Sequence, residues 1–182
     1  MVIGFSGKIG SGKSTLSNSI SKELNFKYCS FGDYIRKVAF NRGLENNRGN
    51  LQNLGLSLLQ DGANSFCSAV LKDINWNEGE SLIIDGIRHV EIAMAIKDIV
   101  SPDLFSLVFL KIESDSLRVK RNNISEDELK NIDAHPTESQ VMDQTLLQFA
   151  DIVIDANASI SEQKGLVMSW IGKSLNNLSS KD

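Results

Sequence analysis

Apolar residues along the chain switch repeatedly between short continuous runs and a helical stride. The runs at Val2–Ser6, Lys27–Ser30, Leu82–Asp85, Phe105–Ile112 and Asp151–Asp155 predict five short strands. Between them, apolar positions recur every three or four residues. That stride predicts helices over Thr15–Leu24, Asp33–Arg42, Asn50–Leu59, Ala63–Ile74, Val90–Val100, Ser114–Arg121 and Ile160–Leu178. The last would bury Val167, Trp170, Ile171, Leu175 and Leu178 on one face. Gly43 and Ser101-Pro102-Asp103 read as helix stops. Ser125-x-x-Glu128 and Thr137-x-x-Gln140 have the form of capping boxes. Strands that alternate with helices, and lack polar alternation inside, predict a parallel sheet covered on both faces. The expected fold is a three-layer α/β/α domain with a five-stranded parallel sheet. No repeat or linker interrupts it, so residues 1–182 are expected to form a single domain.

Ligands of such sheets gather at the C-terminal ends of the strands. The notable polar residues fall there: Gly7–Ser14 after the first strand, Asp33 after the second and Asp85 closing the third. Arg118 and Arg121 follow the fourth, and Asn157 follows the fifth. Gly7-Lys8-Ile9-Gly10-Ser11-Gly12-Lys13-Ser14, with Thr15 behind it, matches G-x-x-x-x-G-K-[ST] in the strand–loop–helix context that motif requires. Its glycines let backbone N–H groups converge on phosphate oxygens, and the helix behind adds a positive dipole end. Lys13 would reach the β- and γ-phosphates of ATP, and Ser14 would ligate Mg²⁺. Asp85 stands where phosphate-loop enzymes carry the acid that holds Mg²⁺, although an Asp there also serves as a turn former or helix cap.

Composition narrows the class. Hydrophobic content of 41% and charged content of 23% belong to a folding chain. A net charge of −4 argues against general nucleic-acid binding. No apolar stretch is long enough for a membrane helix, and the opening residues show no leader pattern. Cys29 and Cys67 match no metal spacing and read as reduced, semi-buried cytosolic thiols. A cytoplasmic protein is therefore expected. Charge is uneven: residues 1–121 carry fifteen Lys/Arg against thirteen Asp/Glu, and residues 122–182 four against ten. All six arginines lie in the first part. Arginine suits forked hydrogen bonding to phosphate, so a second polyanion near the first is expected, with ordinary surface arginines among the six.

Ser30-Phe-Gly-Asp33-Tyr-Ile-Arg36 resembles the S-T-G-D-x-L-R segment of nucleoside monophosphate kinases. Asp85-Gly86-Ile87-Arg88 resembles their D-G-F-P-R, one residue shorter. The resemblance covers about residues 1–160. It implies a P-loop fold of the nucleoside monophosphate kinase type, with an acceptor-binding helical insert at about 31–75 and a short lid at about 114–138. It also implies a small-molecule nucleotide acceptor whose phosphate Arg36 and Arg88 would hold. Ser116–Arg121 looks like the start of the family's lid, so Arg118 and Arg121 would stabilise charge on the transferring group. Ala150–Ser159 is similar to a segment of dephospho-coenzyme A kinases, which implies that Asn157 borders the adenine. Arg48-Gly-Asn-Leu-Gln52-Asn-Leu-Gly55 resembles phage-type deoxynucleoside monophosphate kinases. It points to Gln52 as a base contact, while Leu51 and Leu54 are equally explained as core positions.

The chain departs from that family in having no arginine after Arg121, and the segment 122–138 is acidic. Asp33 separates two chemistries. With a phosphate acceptor it would orient the acceptor. With an alcohol acceptor, as in dephospho-coenzyme A kinases, it would accept the hydroxyl proton. A nucleotide-binding switch stays open as a third class, because fold alone does not exclude it. His89 is expected at the surface at a helix start and His135 in a loop, too far apart for a metal site. Trp76 and Trp170 are expected to pack.

Overall fold

The computed structural model describes residues 1–136, 138 and 144–179. All five strands form: β1 (Val2–Gly7), β2 (Lys27–Ser30), β3 (Leu82–Ile87), β4 (Phe105–Lys111) and β5 (Ile152–Asp155). They make one parallel sheet in the order β2-β3-β1-β4-β5. β1 is therefore central and every one of its residues is buried, which explains its unbroken apolar run.

The described helices are α1 (Lys13–Leu24), α2 (Phe31–Asn41), α3 (Arg48–Gln60), α4 (Ala63–Asp73), α5 (Val90–Ile99), α6 (Asp115–Asn122), α7 (Glu126–Asp133), α8 (Gln144–Phe149) and α9 (Ile160–Ser179). Successive strand side chains point to opposite faces, so the sheet has two cores. Val2, Leu82, Ile84 and Leu107 meet α4, α5 and α8 through Phe66, Val70, Ile92, Ile96 and Leu146. Ile3, Phe5, Ile83, Val108 and Leu110 meet α1 and α9 through Leu16, Ile20, Val167 and Ile171. Each such side chain contributes about 1.5–3 kcal/mol on leaving water. Leu175, Leu178 and the Thr137–Gln140 box lie outside the described side chains.

The third strand does not stop at Asp85. Gly86, at φ 88, is an extra residue in the ladder: Phe5 pairs with Asp85 but Ser6 pairs with Ile87. That bulge re-aims the end of β3, where Asp85 and Arg88 sit. The stride also missed α7 and α8. α7 has only eight residues and two buried apolar ones, Leu129 and Ile132, too few to show a period. Its capping box at Ser125 and Glu128 does form. Cys29 and Cys67 are buried rather than semi-buried, and burial pushes each thiol up to about 12. Trp76 donates to the Glu80 carbonyl and packs on the first core, and Trp170 packs on the second. Among the described residues no helix is long and apolar enough to cross a membrane.

Candidate active site

The Gly7–Ser14 loop leads from β1 into α1. α2, α3, α6 and α7 each begin with a side-chain cap, from Ser30, Asn47, Ser114 and Ser125. α1 follows Gly12 with no side-chain cap and no acid in its first turn, leaving its first N–H groups to an anion. Gly10, at φ 78, lies against α6. A Cβ there would stand 2.5 Å from Asn122 Nδ2 and 3.0 Å from the Arg118 backbone. Lys8 contributes its carbonyl, which accepts from Ser11 N at 3.1 Å.

Lys13 is buried, and that burial, with Arg88 next in weight, lowers its pKa to about 7 against the opposing pull of Asp85. Burial likewise brings Arg88 down to about 10. Each cation disfavours the charge of the other, and an incoming phosphate would relieve that.

Beside them, Ser14 Oγ donates to Asp85 Oδ2 at 2.6 Å, and Tyr28 OH donates to the same oxygen at 3.3 Å. Asp85 Oδ1 is buried without a hydrogen-bond partner among the described residues. A hydroxyl and a carboxylate with a spare oxygen fit a hard, oxygen-seeking cation such as Mg²⁺, which binds through one or two carboxylates and keeps several waters. The described residues offer no cluster of three or more His, Cys, Asp or Glu for a softer metal.

Three clefts meet at Arg88. The first, about 760 Å³, lies between α1 and α2 and is lined by Lys13, Asn18, Lys22, Tyr28, Asp33, Arg36 and Asp85. A second of about 550 Å³ runs along residues Ile9 to Thr15 and is bordered by Arg121, Asn122, Ala158, Ile160 and Gln163. The third, about 460 Å³, opens between α2 and α3 and is lined by Ile35, Arg36, Arg48, Leu51, Gln52, Gly55 and Glu138.

Most residues expected from sequence converge here. Asp33 and Arg36 pair at 2.5 Å one helical turn apart on α2 and line the first cleft. Gln52 lines the third, and Arg121 lines the second while donating to the Gly10, Ser11 and Ala156 carbonyls.

Three positions differ. Arg118 is 0% exposed and lines none of the three clefts. Its Nε donates to the Ile9 carbonyl at 3.0 Å, and its Nη atoms bind Asp115 and Asp133. The acidic segment supplies Asp133 as a partner, so this arginine braces the loop from behind. Asn157 folds back, its N and Nδ2 donating to Asp155 Oδ1 at 2.8 and 2.7 Å, and lies in a separate hollow with Lys111 and Glu113. Ala158, Ile160 and Gln163 line the second cleft instead. Gln163 Nε2 donates to the Ala158 carbonyl, and its Oε1 is buried without a partner among the described residues. His89 is buried ahead of α5 rather than at the surface, and His135 Nε2 lies 3.3 Å from Asn53 Oδ1.

Arg48, Tyr28, Gln163 and Glu138 were not legible as site residues. Arg48 stood inside the segment that pointed to Gln52, a signal that could have found it. Tyr28 hid in a short strand, and Glu138 and Gln163 lie far along the chain in no motif.

The parallel sheet, its uncapped phosphate loop and the carboxylate facing it define a P-loop kinase fold. A family model described as an AAA domain matches residues 3–160, and the chain belongs to that family. It is similar to a UPF0200 protein of Aeropyrum pernix, 28% identical over 91 residues. That match covers 50% of this chain and 48% of the relative, so the chain spans about half the length of that protein. A cytidylate kinase of Haloarcula marismortui is 48% identical over 44 residues, 24% of this chain and 23% of that one. The crystal structure of a shikimate kinase from Aquifex aeolicus shares the fold, with a TM-score of 0.56 at 19% identity, covering 96% of this chain and 99% of that one.

Proposed function

We propose that the protein is a cytoplasmic phosphotransferase that moves the γ-phosphoryl group of ATP to a nucleoside or deoxynucleoside monophosphate. The observation that carries this is the convergence of buried Lys13 and partly buried Arg88 beside the Ser14–Asp85 pair, where three clefts meet. Phosphoryl transfer needs positioning and charge neutralisation more than covalent chemistry. The N–H groups of Gly7–Thr15, with Lys13, would hold the triphosphate along the second cleft. Gln163 and the Ala158 backbone would border its base. Ser14 and Asp85 would hold Mg²⁺, which supplies charge neutralisation on the phosphates when bound. Arg36 and Arg88, with Arg48, would fix the acceptor phosphate, and Arg121 would face the transferring group. A phosphate acceptor is already ionised near pH 7, so no general base is needed. The cytidylate kinase similarity supports a nucleotide acceptor.

A hydroxyl acceptor is the second reading, favoured by one observation: Asp33 lines the same cleft as Lys13 and Asp85. An Asp so placed could take a hydroxyl proton. The deciding experiment measures ADP formation with a panel of ribo- and deoxyribonucleoside monophosphates and dephospho-coenzyme A, using Lys13→Ala as control. Product with monophosphates, lost in Lys13→Ala, supports the first reading. Product only with the alcohol supports the second, and acceptor-independent hydrolysis alone would sink both.

A further inference from the structure

The third cleft contains a buried carboxylate that the proposed transfer does not use. Glu138 is 3% exposed in its side chain and pairs through Oε1 with Arg88 Nη1. Its other oxygen, Oε2, is buried and has no hydrogen-bond partner among the described residues. A desolvated carboxylate oxygen without a donor costs free energy, and an incoming N–H or O–H group removes that cost. Glu138 lines only the third of the clefts that meet at Arg88, and neither Lys13 nor Asp85 lines that one.

The walls say what would bring the donor. Ile35 and Leu51 give the third cleft an apolar side, and Gly55 lies close to Ile35: a Cβ on Gly55 would stand 3.0 Å from Ile35 Cδ1. Gln52 adds a carboxamide, able to donate or accept. Two apolar side chains, an amide and a carboxylate suit a flat heteroaromatic ring with a polar edge, and Arg36, Arg48 and Arg88 in the same lining suit the phosphate attached to it. The first cleft, with Asn18, Lys22, Asp33 and Arg36, suits a charged or hydroxylated group instead.

We propose that Glu138 is a specificity-determining residue that selects acceptors whose base carries an exocyclic amino group. Its Oε2 accepts one amino N–H, while Oε1 keeps Arg88 oriented toward the acceptor phosphate. Uracil and thymine present a carbonyl oxygen where cytosine presents its amino group. Against Oε2 that carbonyl brings two acceptors together and leaves both unsatisfied. The selection rests on the monophosphate-kinase reading above.

The test compares cytidine and uridine monophosphates, which differ at the C4 substituent and in the proton on N3, in wild-type protein and Glu138→Gln. Wild type should favour the cytosine nucleotide by about 100-fold in kcat/KM, within the range that a hydrogen-bonding site gives over an analogue lacking the group. Glutamine can donate as well as accept, so Glu138→Gln should bring the ratio to within about fivefold. A second arm needs no variant: pyrimidin-2-one riboside monophosphate, which lacks the amino group, should be a poorer substrate of wild type than cytidine monophosphate by about the same factor. A wild-type ratio near one, a ratio unchanged by Glu138→Gln, or full activity on the pyrimidin-2-one nucleotide overturns the assignment with the kinase reading intact. No transfer to any monophosphate overturns the kinase reading itself, and the assignment with it.

Discussion

Arg118 and Asp133 meet through two bonds, Nη1 to Oδ2 at 2.7 Å and Nη2 to Oδ1 at 2.5 Å, behind the phosphate loop. The arginine's remaining edge holds the Ile9 carbonyl. A loop whose N–H groups face an anion must turn carbonyls elsewhere, and buried carbonyls need donors. α6 supplies them: Arg118 takes Ile9, and Arg121 takes Gly10 and Ser11. Asp133→Ala should therefore destabilise the fold by about 1.5–3 kcal/mol, because it removes two charge-assisted bonds from a buried guanidinium and leaves it Asp115 and the Ile9 carbonyl. Arg118→Met combined with Asp133→Leu should recover much of that stability but not nucleotide affinity. Urea unfolding and ATP titration on the same samples separate the two effects.

Lys13 gives a pH dependence with a defined sign. Its pKa is about 7 in the folded protein against the usual 10.5, chiefly through burial. Between those values the folded protein holds fewer protons than the unfolded chain, so stability without ligand should rise with pH across that window. Nucleotide binding needs the charged lysine, so ATP affinity should fall as pH rises from 6 to 8.5. Binding at pH 7 should take up about half a proton from this group. Calorimetry in buffers of different ionisation enthalpy reads that uptake, and its absence in Lys13→Ala assigns it.

Tyr28 touches the carboxylate that would hold the metal, donating to Asp85 Oδ2 at 3.3 Å. Partners of ligating carboxylates orient them, and losing one typically costs roughly 10- to 100-fold in metal affinity or activity. Tyr28→Phe should raise the Mg²⁺ concentration for half-maximal activity by about tenfold. Asp85→Asn should raise it further. An unchanged Mg²⁺ dependence in both would remove Asp85 from the metal site.

At the far end of the second cleft, Gln163 cannot be turned over. Its Nε2 is needed by the Ala158 carbonyl, which leaves Oε1 as an acceptor. An acceptor there matches the amino group of adenine. Gln163→Leu should reduce preference for ATP over GTP by about tenfold, one lost hydrogen bond. Steady-state rates with the two donors provide the check.

Asp33→Asn divides the acceptor chemistries. Activity on a monophosphate should fall by less than about tenfold, because the residue orients rather than takes a proton. A loss of several hundredfold or more on a monophosphate would show that Asp33 does acid–base work.

The sheet and the phosphate loop could be read from sequence because both are local. An unbroken apolar run needs burial on two faces, and the loop's glycines sit beside one another in the chain. Short segments, each on one helix or at one strand end, pointed to Arg36, Gln52 and Arg88, which line the clefts. Arg118 was misplaced because its partner, Asp133, lies fifteen positions on, in a helix too short to announce itself. Asn157 was misplaced because a turn onto Asp155 reverses its side chain, which spacing does not encode. Glu138 had no local signal. A carboxylate is ordinary in an acidic segment, and only folding brings it to Arg88.

The central position of β1 has a consequence for how the molecule comes into being. β1 pairs with residues 82–87 on one side and 105–110 on the other, so it has neither of these neighbours until later segments exist. Contacts this distant in sequence close slowly. During synthesis Val2–Gly7 must remain an unpaired apolar segment until residues 82–87 have been made, which exposes it to aggregation and to chaperones. The Gly7–Ser14 loop, which hangs from β1, is then set in place as one event with the sheet.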